Sequence, residues 1–153
     1  MTIKEIMTAN PRLAAPTTTV AEAAALMLDG DCGVLPVVDN GDLVGVVTDR
    51  DLFIALATRD RRASELSVAE VARFPVRMCD ADDEIQSALQ TMSRFRIRRL
   101  PVRGGGGAIV GVVSIDDILL NAGALKTLSD AEPLRTLQHI CSPHRPLPYA
   151  VDF

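Results

Sequence analysis

Tryptophan is absent from this 153-residue chain, tyrosine occurs once and phenylalanine four times, so aromatic residues make up 3%. Proteins that hold single-stranded nucleic acid by stacking need aromatic platforms, and few are on offer. A surplus of positive charge is missing too. Sixteen Lys and Arg stand against 20 Asp and Glu, for a formal net charge of −4, so no global field draws in DNA, RNA or an anionic membrane surface. No apolar run approaches a bilayer span, and the opening Met1-Thr2-Ile3-Lys4-Glu5-Ile6 lacks the apolar core of a signal peptide, so no membrane association is expected and the cytoplasm is the expected compartment. Cys32, Cys79 and Cys141 are odd in number and form no C-x-x-C pair. That argues against a disulfide framework or a four-cysteine zinc site and for small buried hydrophobes. His139, Cys141 and His144 fall in a Pro-rich terminal stretch with no fourth ligand in view, so no metal site is expected. Neither histidine lies in the repeated part of the chain, and no Ser or Cys sits in an elbow motif, so the chain is not expected to be an enzyme.

What the chain has is aliphatic mass. Hydrophobic residues make up 48% and charged ones 24%, the balance of a globular protein whose core is Val, Leu, Ile, Ala and Met. The length allows one ordinary domain or two very small units that must share a core, neither of which should fold alone.

The chain also repeats itself. Setting Ile3-Lys4-Glu5-Ile6 against Val68-Ala69-Glu70-Val71 pairs Val20 with Ile85, Ala23 with Ala88, Met27 with Met92 and Pro36 with Pro101, all 65 positions apart. The offset becomes 66 at Gly45 and Gly111, because the turn through Gly104 to Gly107 is one residue longer than that through Asn40-Gly41. So many matches in order, with a single gap at a turn, mark a duplication. Each copy reads helix, strand, strand, helix. In the first, Thr19 caps a helix to about Asp29 with a stripe of Val20, Ala23, Ala24, Met27 and Leu28, and Gly30 ends it. Val34 to Val38 and Leu43 to Val47 then form a hairpin on the Asn-Gly turn, and a helix starts near Thr48. In the second, Ser67 and Glu70 have capping-box spacing, Asp82 to Ser93 is the long helix, Ile97 to Val102 and Ala108 to Val113 are strands, and Ser114 opens the last helix.

Leu35-Pro36-Val37-Val38-Asp39 followed by Leu43-Val44-Gly45-Val46-Val47-Thr48-Asp49-Arg50-Asp51 resembles the signature of the CBS domain, the repeat named after cystathionine β-synthase. Ile97-Arg98-Arg99-Leu100-Pro101-Val102 and Ile109-Val110-Gly111-Val112-Val113-Ser114-Ile115-Asp116-Asp117 resemble its second copy. The resemblance covers residues 1 to about 122 and implies a tandem pair, or Bateman module, of the stand-alone bacterial type. The implied fold is α/β (α+β), two repeats at residues 1–62 and 63–124, each a small sheet with flanking helices, packed with pseudo-two-fold symmetry. Residues 125–153 are a tail outside the resemblance. The family implies two clefts that often accept AMP, ADP, ATP, NAD or S-adenosylmethionine, with no cofactor required for chemistry.

Within Thr48-Asp49-Arg50-Asp51 a hydroxyl at a helix start and a carboxylate three residues on face the same way. Asp51 would repel a phosphate but can accept hydrogen bonds from vicinal ribose hydroxyls, leaving Thr48 and backbone amides for the phosphate side. Ser114 and Asp117 take the same roles in the second copy. The same spacing is equally a plain capping box, common in proteins that bind nothing. Family geometry puts adenine near Leu13, Ala14, Ala15, Val34 and Leu35 in one cleft, and near Val76, Arg77, Met78, Arg99 and Leu100 in the other. Arg98 and Arg99 point to opposite faces of a strand, so at most one meets a given ligand, while Arg94 and Arg103 read as solvated charge. By closeness to the family pattern Asp51 ranks slightly ahead as the ribose acceptor, with the Asp117 cleft, near the arginines, suited to more phosphates.

Ser129 and Glu132 have capping-box spacing, and Leu134, Leu137 and Ile140 make a short apolar stripe, so the tail holds a short helix that the repeats can fold without. Leu52, Phe53, Ile54 and Leu56 show more apolar surface than one small core needs, which suggests a homodimer. The expected function is a sensor that binds an adenosyl ligand and signals to an effector protein. The alternative is a ligand-free dimerisation or scaffold module.

Overall fold

A computed structural model describes residues 1–121 and 131–142. Thr2 and Glu5 close a capping box over a 3-10 turn at Ile3–Glu5, which leads into the two-residue strand β1 (Thr8–Ala9). Helix α1 (Val20–Asp29) follows, with Thr19 as its cap and Glu22 reaching back to the Thr19 amide. The hairpin of β2 (Val34–Asp39) and β3 (Asp42–Thr48) turns on Asn40 and Gly41, whose φ values of 50° and 90° supply the positive pair that a right-twisted two-residue hairpin needs. Thr48 then caps α2 (Asp49–Arg59).

The second copy has a 3-10 turn at Val68–Glu70, β4 (Cys79–Asp80), which corresponds to the Ala14 bridge of the first copy, α3 (Ile85–Phe95), the hairpin of β5 (Arg99–Arg103) and β6 (Ile109–Ser114), and α4 (Ile115–Asn121). Beyond the repeats lies α5 (Ala131–Cys141).

The copies trade their leading segments. One sheet runs β1-β6-β5-β4, so the β1 strand of the first copy pairs with β6 of the second, Thr8 opposite Val112. The other sheet is β2-β3, and there the stretch before β4 crosses back through an Arg73–Val46 bridge, while Ala14 bridges Val37. The cores follow the same exchange. Ile3 is wholly buried among Ile85, Met92, Leu100 and Val113 of the second unit, whereas Leu66 and Val68 are wholly buried among Val20, Leu35 and Val47 of the first. Gly45 and Gly111 lie where the crossing segments pass. A Cβ at Gly45 would sit 3.1 Å from the Phe74 ring, and one at Gly111 would collide with Met7 Sδ, so a side chain at either position would force the crossing segment to shift.

Three local expectations are corrected. Helix α3 begins at Ile85 rather than Asp82, because the Asp83 carboxylate accepts the Asp80 amide at 2.9 Å and holds those residues in a turn. The second hairpin's strands are shifted by one or two residues, β5 beginning at Arg99 and β6 running from Ile109 to Ser114. On α1 only Val20, Ala23 and Met27 are buried, with Ala24 exposed and Leu28 85% exposed. Gly30 ends that helix with φ −88°, and the left-handed position falls on Asp31 at φ 46°.

The short helix expected in the tail is present and covers a face of the second unit. Ile140 is buried in the second core and Leu137 packs against it, with Pro133 and Thr136 also buried, while Leu134 is exposed. Helix α5 lies on α3 and α4, tied by Gln86 Nε2 donating to Glu132 at 3.0 Å and by an Arg96 guanidinium N–H donating to the Ser142 carbonyl at 3.2 Å. It is part of the second unit's core and not an appendage to it. Ser129 and His144 lie outside the described residues.

Candidate functional site

The two hydroxyl–carboxylate pairs fold alike. Asp51 Oδ2 accepts the Thr48 amide at 2.9 Å and its hydroxyl at 2.7 Å, and Asp117 Oδ2 accepts the Ser114 amide and hydroxyl, both at 2.7 Å. In return the Thr48 hydroxyl accepts the Asp51 amide and the Ser114 hydroxyl that of Asp117. Both pairs are therefore complete capping boxes, each placed by the strand before it. The Gly33 carbonyl accepts the Asp49 amide at 3.2 Å, as the equivalent Arg98 carbonyl accepts that of Ile115 at 2.9 Å.

What differs is the other carboxylate oxygen. Asp51 Oδ1 takes both Arg73 Nε and a terminal guanidinium nitrogen, each at 2.6 Å. The Asp51 side chain is 8% exposed and that of Arg73 63%, so an arm from the crossing segment closes over the buried acid from the solvent side. Oδ2 accepts two hydrogen bonds and Oδ1 one from Nε, with the terminal nitrogen equally close, so three of the roughly four acceptor positions of the carboxylate are used and the guanidinium covers the fourth. Asp117 Oδ1 has no such neighbour among the described residues, since the position equivalent to Arg73 is Thr8, whose short side chain cannot span the gap. The expectations did not include Arg73. A signal was present, because the duplication sets Ala72-Arg73 against Met7-Thr8 and so puts a charge where its twin has none.

The remaining candidates divide. Arg99 is the cross-strand partner of Ser114 and so shares its face of the sheet, as Val34 does with Thr48. Arg98 is exposed and Arg99 half-buried. Leu35 is wholly buried and Ala14 nearly so, both giving their side chains to the first core, while their neighbour Leu13 is exposed. Leu100 is likewise wholly buried in the second core. Val76 and Met78 are half-buried, and the Arg77 guanidinium lies 4.0 Å from the centre of the Phe95 ring. Arg103 is taken up by Asp80, its Nε on Oδ1 at 2.7 Å, and this bond holds the Asp80 carboxyl below its ordinary range.

Burial pushes the Cys79 thiol up to about 12, so at neutral pH it is a small protonated hydrophobe. Cys32 is half-buried and Cys141 exposed, which corrects the expectation of burial for the latter. Among the described residues no group of His, Cys, Asp and Glu is arranged to hold a metal, and no helix is long and apolar enough to cross a membrane.

Two open depressions lie away from these residues. One, of about 540 Å³, is lined by Thr17, Thr18, Glu22 and Leu26, and the other, of about 530 Å³, by Asp80 to Asp83, Arg103 and glycines of the long turn. Their linings share only two equivalent positions, Thr17 and Thr18 against Asp82 and Asp83, and neither includes Thr48, Asp51, Ser114 or Asp117. Hydrogen bonding, rather than concavity, is what groups the candidate residues.

The family model for the CBS domain matches residues 3–58 and again 68–122. CBS domain-containing protein YhcV of Bacillus subtilis is 33% identical over 119 residues, covering 78% of this chain and 84% of that protein. The crystal structure of the CBS domain pair of protein MJ0100, in complex with 5′-methylthioadenosine and S-adenosyl-L-methionine, has a TM-score of 0.72 at 28% identity, covering 82% of this chain and 98% of the other. That of CBSX2 in complex with AMP has a TM-score of 0.66 at 26% identity, covering 82% and 98%.

Proposed function

The chain belongs to the CBS-domain family as a tandem pair of its repeats, and from that premise we propose that it is a non-catalytic regulatory module whose ligand is an adenosyl compound such as AMP, ADP, ATP or NAD. The observation that carries the reading is the pair of buried or half-buried carboxylates, Asp51 and Asp117, each fixed by the same hydroxyl and amide in both copies. A carboxylate so held has a fixed direction for its second oxygen, and a ribose diol is a donor pair that suits it. Thr48 and Ser114 stand on the phosphate side of their sites, and Arg98 or Arg99 supplies charge to the second. Leu13 in one cleft and Val76 and Met78 in the other offer apolar contact to adenine. Solved relatives hold AMP or S-adenosyl-L-methionine with 5′-methylthioadenosine, which supports an adenosyl ligand.

The preference expected from the motifs is reversed in this proposal. Asp117 Oδ1 has no partner among the described residues whereas Asp51 Oδ1 carries the Arg73 guanidinium, so the second cleft fills first. Mass spectrometry of small molecules released from the purified protein, followed by calorimetry of the stripped protein with AMP, ATP, NAD and S-adenosyl-L-methionine, tests the reading. Binding by at least one supports it. Neither heat nor thermal shift with any of them at millimolar concentration rejects it and leaves the capping boxes as structure only.

A second reading, a homodimer, is favoured by one observation. The positions equivalent to Ala24 and Phe53 are Leu89 and Leu119, which lie in the core that α5 completes, yet on the first unit Ala24 is exposed and Phe53 72% exposed. We propose that this bare helix face of the first unit meets its own copy in a second chain.

A further inference from the structure

Resting on the adenosyl reading of the Asp51 cleft, we propose that Arg73 is the specificity-determining residue of that cleft, restricting it to phosphorylated adenosines. As folded, Asp51 Oδ1 accepts Arg73 Nε at 2.6 Å and has a terminal guanidinium nitrogen equally near, so the Arg73 fork stands over that oxygen. A ribose diol reaches that oxygen only if the fork leaves. A nucleoside that expels it breaks a charge-assisted pair and offers the guanidinium nothing in exchange. A nucleotide brings its own replacement, because phosphate oxygens match the same planar fork. The arm is built to move: its backbone is anchored, the Arg73 amide donating to the Val46 carbonyl at 2.9 Å, while its side chain is 63% exposed. Ribose and phosphate are then read together, since the diol cannot bind Asp51 until an anion has taken Arg73. The second cleft lacks the device, having Thr8 at the equivalent position, and it discriminates less between nucleoside and nucleotide.

The test is isothermal calorimetry of the full chain carrying Asp117→Ala, which leaves the first cleft to be read, with adenosine and AMP as probes, before and after adding Arg73→Thr. The equivalent position already carries threonine, so the backbone tolerates the change. Arg73→Lys provides a second variant that keeps the charge and loses the fork. The expected result is that Arg73→Thr tightens adenosine roughly tenfold, the worth of about one charged hydrogen-bond pair, while AMP gains less or weakens, so that the ratio of the two affinities collapses. Arg73→Lys falls between. An AMP-to-adenosine ratio that Arg73→Thr leaves unchanged, with binding intact, overturns the role of Arg73 and spares the adenosyl reading. Absence of any adenosyl binding in the unmutated protein overturns both.

Discussion

Asp51 and Asp117 carry the same local structure into different surroundings, so their truncations should have different profiles. Asp117→Ala removes a carboxylate whose Oδ1 has no partner among the described residues. It should weaken adenosyl binding there by about ten- to hundredfold, as expected for about 1.5 to 3 kcal/mol of charged hydrogen bonding, and calorimetry reads it directly. Deoxyadenosine nucleotides should suffer similarly in the unmutated protein. Asp51→Ala removes the Arg73 ion pair besides the capping contacts that Asp117→Ala also loses. Both should lower the melting temperature through the cap, worth about 1 kcal/mol, even where no ligand is present. Glu70 gives a residue-scale prediction in pH. The Ser67 amide, with Arg61 and the Ser67 hydroxyl, holds its carboxyl at about 2, against an ordinary 4.5. A depressed acid stabilises the fold fully above its unfolded value and loses that contribution as pH falls through the folded one. The difference in melting temperature between the protein and Glu70→Gln should therefore be present at pH 7 and shrink between about 4.5 and 2. A difference independent of pH would show that Glu70 acts through something other than its charge.

At the scale of elements, helix α5 is the part whose removal tells most. Ending the chain at Asn121 strips Leu137 and Ile140 from the second core and uncovers Leu89 and Leu119. Ile140→Ala alone should cost about 2 kcal/mol, the low end for a large-to-small core change at a residue 9% exposed, and chemical denaturation measures it. Gly111→Ala should cost about 1 to 3 kcal/mol, because its Cβ meets Met7 and the Thr8 carbonyl of the crossing segment and Met7 alone can yield. The hairpins and helix caps were readable in the sequence because Asn40-Gly41 and the Thr–Glu, Ser–Glu and Thr–Asp pairs act within four residues. The start of α3 was not, since an aspartate turn at Asp80 to Asp83 and a helix N-terminus draw on the same residues. Nor was the exposure of Leu28, for a helix pattern gives an apolar stripe but not what covers it. The exchange of leading segments was hidden for a related reason. A period of 65 says that Ile3 and Val68 are equivalent and is silent on which unit each one enters. Arg73 escaped because its importance lies in a contact across that exchange, 22 residues from Asp51.

For the whole molecule, the unequal cover of the two units sets how copies should associate. On the first unit Leu28 is 85% exposed, Phe53 72%, Ile54 42% and Leu56 41%. The self-complementary geometry of a two-fold dimer would bury such a face against itself. Light scattering should give twice the chain mass, and Phe53→Glu should return the monomer without unfolding it. A monomer at high micromolar concentration in the unmutated protein would reject the dimer. Loss of α5 should push association the other way, since the second unit would then present a comparable face and higher aggregates become possible.

The crossing of β1 into the second sheet, and of residues 66–73 into the first, has a consequence for how such a chain could arise. A single copy standing alone would have a vacant slot beside its hairpin and a loose leading segment with nowhere of its own to go. Two separate copies could complete each other, but only at concentrations high enough for them to meet. Joining them end to end makes that meeting intramolecular, at an effective concentration of the order of millimolar for a short flexible link, so mutual completion no longer depends on how much protein is present. A single copy expressed by itself should accordingly show a folding transition that sharpens and shifts upward with protein concentration, whereas the joined pair should melt at the same temperature when diluted a hundredfold below its dimer threshold.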